Sequence, residues 1–567
     1  MRSGVERQWH LALALALLLA GMSAHAQQQP PTPPRQDQGD RILREEMERE
    51  RERLLRQPTP RVEQPAAPAA VGPDPAEVAE IAPMFRIEHI ELQGGELLPA
   101  GVLARRLRPF TGLDLGTVRI GLLLQGLNAD LIEAGLITSR AYVVSQNLAS
   151  GVLSLLIVPG RIEAIRYNGS VLADDALDAP GVRLALPMGV GDILQLRDIE
   201  QGLDQLNRLR GRQAQVRIVP GQSPGGSVLE FVDPPPPSIW RAWLGADNQG
   251  SPATGARRLR LGLETGDLFG LNENLNLGYT GSLETNALNA GLSLPWGYNT
   301  FSLLTTWSEY QSLIGNVALL HGSSTNHAAS WNRLLFRDRD TKVAADLALS
   351  VREARREINN VVLAPQKLTV LRAGINRLTR FESPALVGQW IVDGGFSRGL
   401  DALGAMGDAG AGSGPVARAR FRKLDVSGSA VLYLPGNWSL RGNGAWQWSG
   451  VPLFSSEQIF VGGVASVRGF AESAAGGDRG GYWRTELGRS LGAIPAGAHL
   501  EPFAFWDAGY VRTLASGRAA TLMSAGLGLR AAIRAGNLEV IAGKPVVFPS
   551  DMPDTAFRLN LSLSLFF

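Results

Sequence analysis

The chain of 567 residues contains no cysteine. Disulfide and thiolate chemistry are therefore closed to it, and a chain that crosses an oxidising compartment avoids mispaired bridges in this way. Past residue 26 it has no uninterrupted apolar run of about 18 residues, which argues against membrane crossing by helices. Charge of one sign is missing as well. The balance is +2, without the basic surplus that a nucleic-acid partner requires, so none is expected. Histidine is scarce, and His10, His25, His89, His321, His327 and His499 show no metal-ligand spacing on a common helix. There is no phosphate-binding loop, so neither metal nor cofactor is expected. One catalytic pattern does occur, Gly221-Gln222-Ser223-Pro224-Gly225, which fits G-x-S-x-G. The residue after the serine of a nucleophile elbow must supply an N–H, and proline has none. No catalytic residue is assigned, and an enzyme is not expected.

What the chain does have is glycine, 66 residues of it, which favours turns and β-structure over long helices. At the N-terminus Arg2 and Arg7 precede the apolar run Leu11 to Ala20, followed by Ala24-His25-Ala26. This is the layout of a signal peptide, residues 1–26. Residues 27–57 follow as a Gln/Pro-rich start and then one short charged helix, 37–57, with favourable pairs Glu45/Arg49 and Glu52/Arg56. It has almost no apolar face. A solvated helix and a helix seated in a water-filled charged lumen both fit its residues. Residues 58–83 are a Pro/Ala linker, extended and mobile by composition.

Residues 84–159 and 160–235 read as two small α/β modules of order β-α-α-β-β. In the first, FRIEHIEL reads as one strand and TVRIGLLLQGLNADLIEAG as a helix ending at Gly135. In the second, Leu196, Ile199, Leu203 and Leu206 share one helix face. After Pro234 to Pro237 the pattern changes. From 238 to 567, short segments alternate apolar and polar residues between Gly/Asn/Asp/Ser turns. One set runs Leu292, Leu294, Trp296, Tyr298, and then Phe301, Leu303 and Trp307. The final segment alternates Phe557, Leu559, Leu561, Leu563, Leu565 and Phe567 against polar residues. About 330 residues at roughly 20 per strand and turn give about 16 membrane-crossing strands. A soluble sandwich also alternates, but rarely sustains one apolar face over so many strands. The last strand must close the barrel and face lipid. Residues 399–416, rich in Gly and Ala, are expected as an extracellular loop.

Two modules ahead of a C-terminal barrel, with an N-terminal helix and linker, resemble the outer-membrane transporters of two-partner secretion (the TpsB, or haemolysin secretion/activation, family). The modules resemble POTRA domains. In the first, EAGLITSRAYV carries the family's pattern at Gly135, Leu136, Thr138 and Arg140. Arg140 is read as a structural hydrogen-bond donor in preference to a cargo contact. Val467-Arg468-Gly469-Phe470 resembles the V-R-G-[FY] motif of a loop that folds back into the barrel, and Phe505-Trp506-Asp507, with Gly509 after it, resembles the F-x-D motif of an inner-wall strand. The resemblance implies that Arg468 pairs with Asp507, that Gly462, Gly463 and Gly469 permit the close approach, and that helix 37–57 plugs the pore. The implied fold is an all-β transmembrane barrel of about 16 antiparallel strands behind two POTRA domains and a plug helix, in the outer membrane of a Gram-negative bacterium. The implied activity is ATP-independent export of a large secreted partner, a TpsA-type exoprotein. Outer-membrane lipid surrounds the barrel, and periplasmic chaperones and the barrel assembly machinery serve its biogenesis. The alternatives are an assembly factor of the same superfamily and a gated porin.

Overall fold

The computed structural model describes residues 74–172, 179–314, 317–384, 386–408, 416–492, 497–552 and 557–567. The expected signal peptide, the charged helix 37–57 and the linker as far as residue 73 lie outside the described residues.

The stretch read as one strand, FRIEHIEL, is two. Phe85–Ile87 pairs antiparallel with Leu113–Leu115, and His89–Gln93 pairs parallel with Val152–Val158. The break falls at Glu88, where the amides of Glu88 and His89 both donate to the Gly151 carbonyl (2.8 and 3.2 Å). The chain thereby passes from one small sheet to the other. The helix Thr117–Glu133 buries Leu123, Leu127 and Leu131 at i, i+4, i+8 against these sheets. It stops at Gly135, whose φ of 86° only glycine adopts without strain.

The end of the linker is not free. Glu80 reaches back across the module and accepts from the amides of Gly116, Val118 and Arg119 (3.0, 3.0 and 2.8 Å). These are the orphan donors at the start of the helix Thr117–Glu133. Burial opposes ionisation of Glu80, but its backbone donors outweigh it and lower the carboxyl from 4.5 to about 2. The expectation of a mobile linker therefore does not hold for its last residues, because a carboxylate at a helix N-terminus meets both unpaired amides and the dipole.

The second module is a sheet of Ser170–Val171, Arg161–Tyr167, Gly226–Val232 and Gln215–Pro220, in that order, under the helix Leu196–Leu206. Leu196, Ile199, Leu203 and Leu206 are buried together. Each contributes roughly 1.5–3 kcal/mol when removed from water. Ile132 and Ile137 of the first module belong to the same core, so the two modules are joined by packing as well as by chain.

Trp240 to Phe566 form a closed antiparallel barrel of sixteen strands of 8 to 20 residues, with a two-residue strand Val361–Val362 added at one rim. The first, Trp240–Asp247, pairs with the last, Arg558–Phe566, from Trp243↔Phe566 to Asp247↔Ser562. Asn560 points inward, where its amide donates to the Arg468 carbonyl (3.3 Å). Period-2 geometry then turns Leu559, Leu561, Leu563 and Leu565 outward. Phe567 lies just past the strand and donates its amide to the Ala242 carbonyl (2.9 Å). Phe557 precedes it and is exposed.

Tyr298 does not continue the outward apolar row. Gly297 and Tyr298 form the two-residue turn between Thr285–Trp296 and Asn299–Ile314, with Gly297 at φ 54°. The Tyr298 hydroxyl bonds Asp198 of the second module. This turn belongs to a floor on which that module sits. The Gly181 amide donates to the Gly270 carbonyl (2.8 Å) and the Gly297 amide to the Leu184 carbonyl (2.7 Å). Gln205 Nε2 donates to the Gly297 carbonyl (2.9 Å), and Arg208 to Ser293 Oγ and the Asn272 carbonyl (2.6 Å each). Arg337, only 2% exposed in its side chain, donates to Glu200 (3.0 Å) and bonds Asp204, which also holds Lys342.

Candidate functional site

At the barrel end remote from the modules, residues 450–478 connect Trp438–Ser449 to Arg479–Arg489 and fold into the lumen. A short hairpin, Ile459–Val461 with Ala475–Gly477, stiffens this loop. Gly462 and Gly463 follow it at φ 108° and 93°, a left-handed pair that reverses the chain where a Cβ would strain it. Ser466 closes the turn, accepting from the Gly462 amide (2.8 Å) and donating to the Gly462 carbonyl (3.1 Å).

Arg468 stands at the tip and is fully buried. Its Nε donates to Asp507 Oδ2 (2.7 Å), its Nη2 to Asp507 Oδ1 (2.5 Å) and its own backbone amide to Oδ2 (3.0 Å). Asp507 is fully buried as well. This is the fork-to-fork pairing that an arginine makes and a lysine cannot. The guanidinium lies 4.0 Å from the Phe505 ring centroid, a desolvated cation–π contact. The other residues of both motifs are explained by the same approach. A Cβ on Gly469 would lie 2.6 Å from the Ser524 Cβ and 3.0 Å from the Lys544 carbonyl carbon. On Gly509 it would meet Val461 and Val467 at 3.0 Å. Val467 and Phe470 are buried in one cluster with Val461 and Leu522, and Phe470 meets Phe548 edge-on at 6.4 Å.

The sequence reading missed Glu486. It accepts from Arg468 Nη1 and pairs with Arg530 at 2.8 Å. Arg530 runs on to Glu539 (2.7 Å) and Glu501 (3.4 Å), and Glu501 to Arg441. The anchor is thus one end of a lumenal chain of alternating charges. The signal was present in the strand Arg479–Arg489, where Arg484 and Glu486 are charged at inward positions. Nothing in their spacing names Arg468 as the partner. Asp478 was also missed. It is fully buried and accepts from the amides of Leu453 (2.8 Å) and Leu514 (2.6 Å), tying the loop to its neighbours.

The pattern in the first module sits elsewhere, at the junction of the two modules. The Gly135 carbonyl accepts from the Leu196 amide (2.9 Å), and a Cβ on Gly135 would strike the Gln195 side chain. A Cβ on Gly160 would lie 2.8 Å from the Thr138 carbonyl carbon, and the Gly160 amide donates to Ser139 Oγ (2.9 Å). Arg140 Nη1 donates to the carbonyls of Ile137 and Ser139 (2.8 Å each), so it braces the turn before its strand.

The model of the haemolysin secretion/activation protein family ShlB/FhaC/HecB matches residues 225–531. A ShlB-type POTRA model matches 85–160 and a second POTRA model 161–220. The outer membrane transporter CdiB of Escherichia coli is 31% identical over 529 residues, covering 91% of this chain and 86% of the relative. The hemolysin transporter protein ShlB of Serratia marcescens is 30% identical over 447 residues, covering 76% of this chain and 75% of the relative. The solved structure of CdiB from Escherichia coli superposes with a TM-score of 0.82 at 28% identity, over 95% of this chain and all of that one. With two POTRA domains in the periplasm and a sixteen-stranded barrel in the outer membrane, the chain belongs to the ShlB/FhaC/HecB family of two-partner secretion transporters.

Proposed function

We propose that the protein exports one large partner exoprotein, received unfolded in the periplasm, and that the Arg468 loop holds the resting pore in shape. The observation that carries this reading is the buried Arg468–Asp507 anchor. It fastens a long loop inside a lumen whose periplasmic floor is locked to the second POTRA domain. The domain boundaries are those read from the sequence, with residues 74–83 reassigned to the first POTRA domain through Glu80. A haemolysin is the cargo class suggested by the name of the Serratia marcescens relative, a hemolysin transporter protein. Extended cargo adds to an open POTRA sheet edge through backbone hydrogen bonds, which demand little of its side chains. The helix 37–57 leaves the lumen before the cargo enters. Folding outside the cell supplies direction without nucleotide, and no catalytic step is assigned. Chaperones and the barrel assembly machinery enter only in biogenesis.

The test is co-expression with the product of a neighbouring large reading frame, comparing wild type with Arg468→Ala and Asp507→Ala. Export by the wild type and its loss in both variants is the expected result. Impaired insertion of other outer-membrane proteins on deletion, with nothing exported, would assign the chain to barrel assembly. Deleting 37–57 should enlarge single-channel openings, whereas a porin would be unchanged.

A further inference from the structure

The outward face of the barrel carries an unbalanced charge at its extracellular rim. Arg398 stands directly opposite Arg422 across the strands Val387–Leu400 and Arg422–Leu434. Arg479 stands directly opposite Arg512 across Arg479–Arg489 and His499–Arg512. Between the two pairs runs only one strand, Trp438–Ser449. All four residues lie at the strand ends remote from the POTRA domains. Alternation places them outward, in line with the exposed side chains Phe396, Leu424, Trp483 and Tyr510 on the same strands. Arg398, Arg422 and Arg512 are exposed, and Arg479 lies over the Trp448 ring at 5.0 Å and donates to the Ser449 carbonyl (2.6 Å).

Like charges directly opposite in a sheet are destabilising. Among the described residues no carboxylate forms an ion pair with any of the four. The acids close to them in sequence are engaged elsewhere. Asp401 bonds Arg420, Asp425 faces inward to Arg372, and Asp478 is buried under the loop. Residues 409–415, between the strands of Arg398 and Arg422 in sequence, include no acidic residue. The adjoining wall differs, since on Thr341–Ile358, two strands from Val387–Leu400, Arg355 has Glu353 at 2.7 Å. The periplasmic rim differs too. Arg377 and Arg489 sit singly over Trp390 and Trp438, both at 5.5 Å, and oppose no arginine.

The height of the cluster selects the ligand. Phe396, Leu424 and Tyr510 lie two residues deeper on three of the strands, about 6.6 Å at the strand rise. The arginines therefore stand where acyl chains end and headgroups begin. Five adjacent strands at about 4.8 Å put roughly 19 Å between the outermost two, enough for more than one phosphate. Guanidinium forks match phosphate oxygens in pairs.

We propose that Arg398, Arg422, Arg479 and Arg512 bind the phosphates of a phosphorylated glycolipid of the outer leaflet. Two of these strands also carry Glu486 and Asp507, so a bound headgroup braces the wall to which the Arg468 loop is fastened. The inference rests on the outer-membrane location, and it stands whether or not the loop gates export.

The full chain would be reconstituted in phosphatidylcholine vesicles with bis-phosphorylated lipid A, with dephosphorylated lipid A, or with inorganic phosphate at matched phosphate concentration. Thermal unfolding is read by the gel-mobility shift. The expected result is a midpoint raised by bis-phosphorylated lipid A alone. In R422Q/R512Q that rise is largely lost, although in phosphatidylcholine alone the variant matches or exceeds wild type, because the repulsion is relieved. R422K/R512K should recover part of the rise. An equal rise with dephosphorylated lipid A assigns the effect to acyl packing and overturns the proposal. An equal rise with inorganic phosphate overturns the lipid source. An undiminished rise in R422Q/R512Q overturns the site. If that variant does not fold, the three wild-type arms decide alone.

Discussion

Replacing Arg468 by Met removes the guanidinium and keeps most of the side-chain length. Asp507, fully buried, then keeps only the Arg468 backbone amide at 3.0 Å and loses its two side-chain donors. Glu486 is cushioned, because Arg530 remains at 2.8 Å and Arg484 at 3.5 Å. The cost is therefore mainly one stranded carboxylate, about 3–5 kcal/mol for breaking a buried pair. Replacing both residues, Arg468→Met with Asp507→Leu, removes that stranded charge. The double variant should be no worse than Arg468→Met, with a coupling of about 2 kcal/mol or more. The measurement is a double-mutant cycle by urea titration in detergent micelles, with proteolysis of the 450–478 loop alongside. Additive effects, or a loss below about 1 kcal/mol for Arg468→Met, would mean that the loop is held by the Val467 and Phe470 packing, and the pairing argument would fail.

Glu80→Gln should weaken the cap of the helix Thr117–Glu133 by about 1 kcal/mol, seen as faster hydrogen exchange at Gly116, Val118 and Arg119. In the wild type the folded carboxyl titrates near 2, below its ordinary 4.5. The cap is thus complete above about pH 4.5 and fades as pH falls toward 2, so the exchange difference from the Gln variant should vanish in acid. Arg337→Met strands Glu200 and Asp204 at the barrel floor, although Lys342 still serves Asp204 and Arg197 still serves Glu200 at 3.1 Å. Spin-label distances from the second POTRA domain to the barrel should broaden, and an unchanged distribution would show that the backbone contacts suffice. Gly160→Ala drives a methyl into the Thr138 backbone and should cost about 1–3 kcal/mol. Altered small-angle scattering of the tandem domains checks it, with Gly121→Ala, which meets nothing within 4 Å and has no positive φ, as the control.

Where local chemistry decides, the sequence was a sufficient guide. Period-2 alternation reports a surface with lipid on one side and water on the other, so the barrel strands and the outward row Leu559, Leu561, Leu563 and Leu565 were legible without coordinates. A carboxylate two residues after Phe505 and an arginine between Val467 and Gly469 were matched through the family resemblance that each contiguous motif carries. Partnerships made across the barrel were not legible. Glu486 and Arg468 are 18 residues apart and meet only because a loop folds inward. Tyr298 fits the alternating pattern, but a two-residue turn at Gly297 carries it to Asp198. Glu80 belongs to a linker by composition and to a domain by its bonds to amides 36 to 39 residues away. The arginine pairs at the extracellular rim depend on strand register, which no single segment encodes. Composition and periodicity determine which residues can face lipid, water or core. Closure of the barrel decides which of them meet, because only closure brings distant strands to hydrogen-bonding distance and removes the water that would otherwise keep their charges apart.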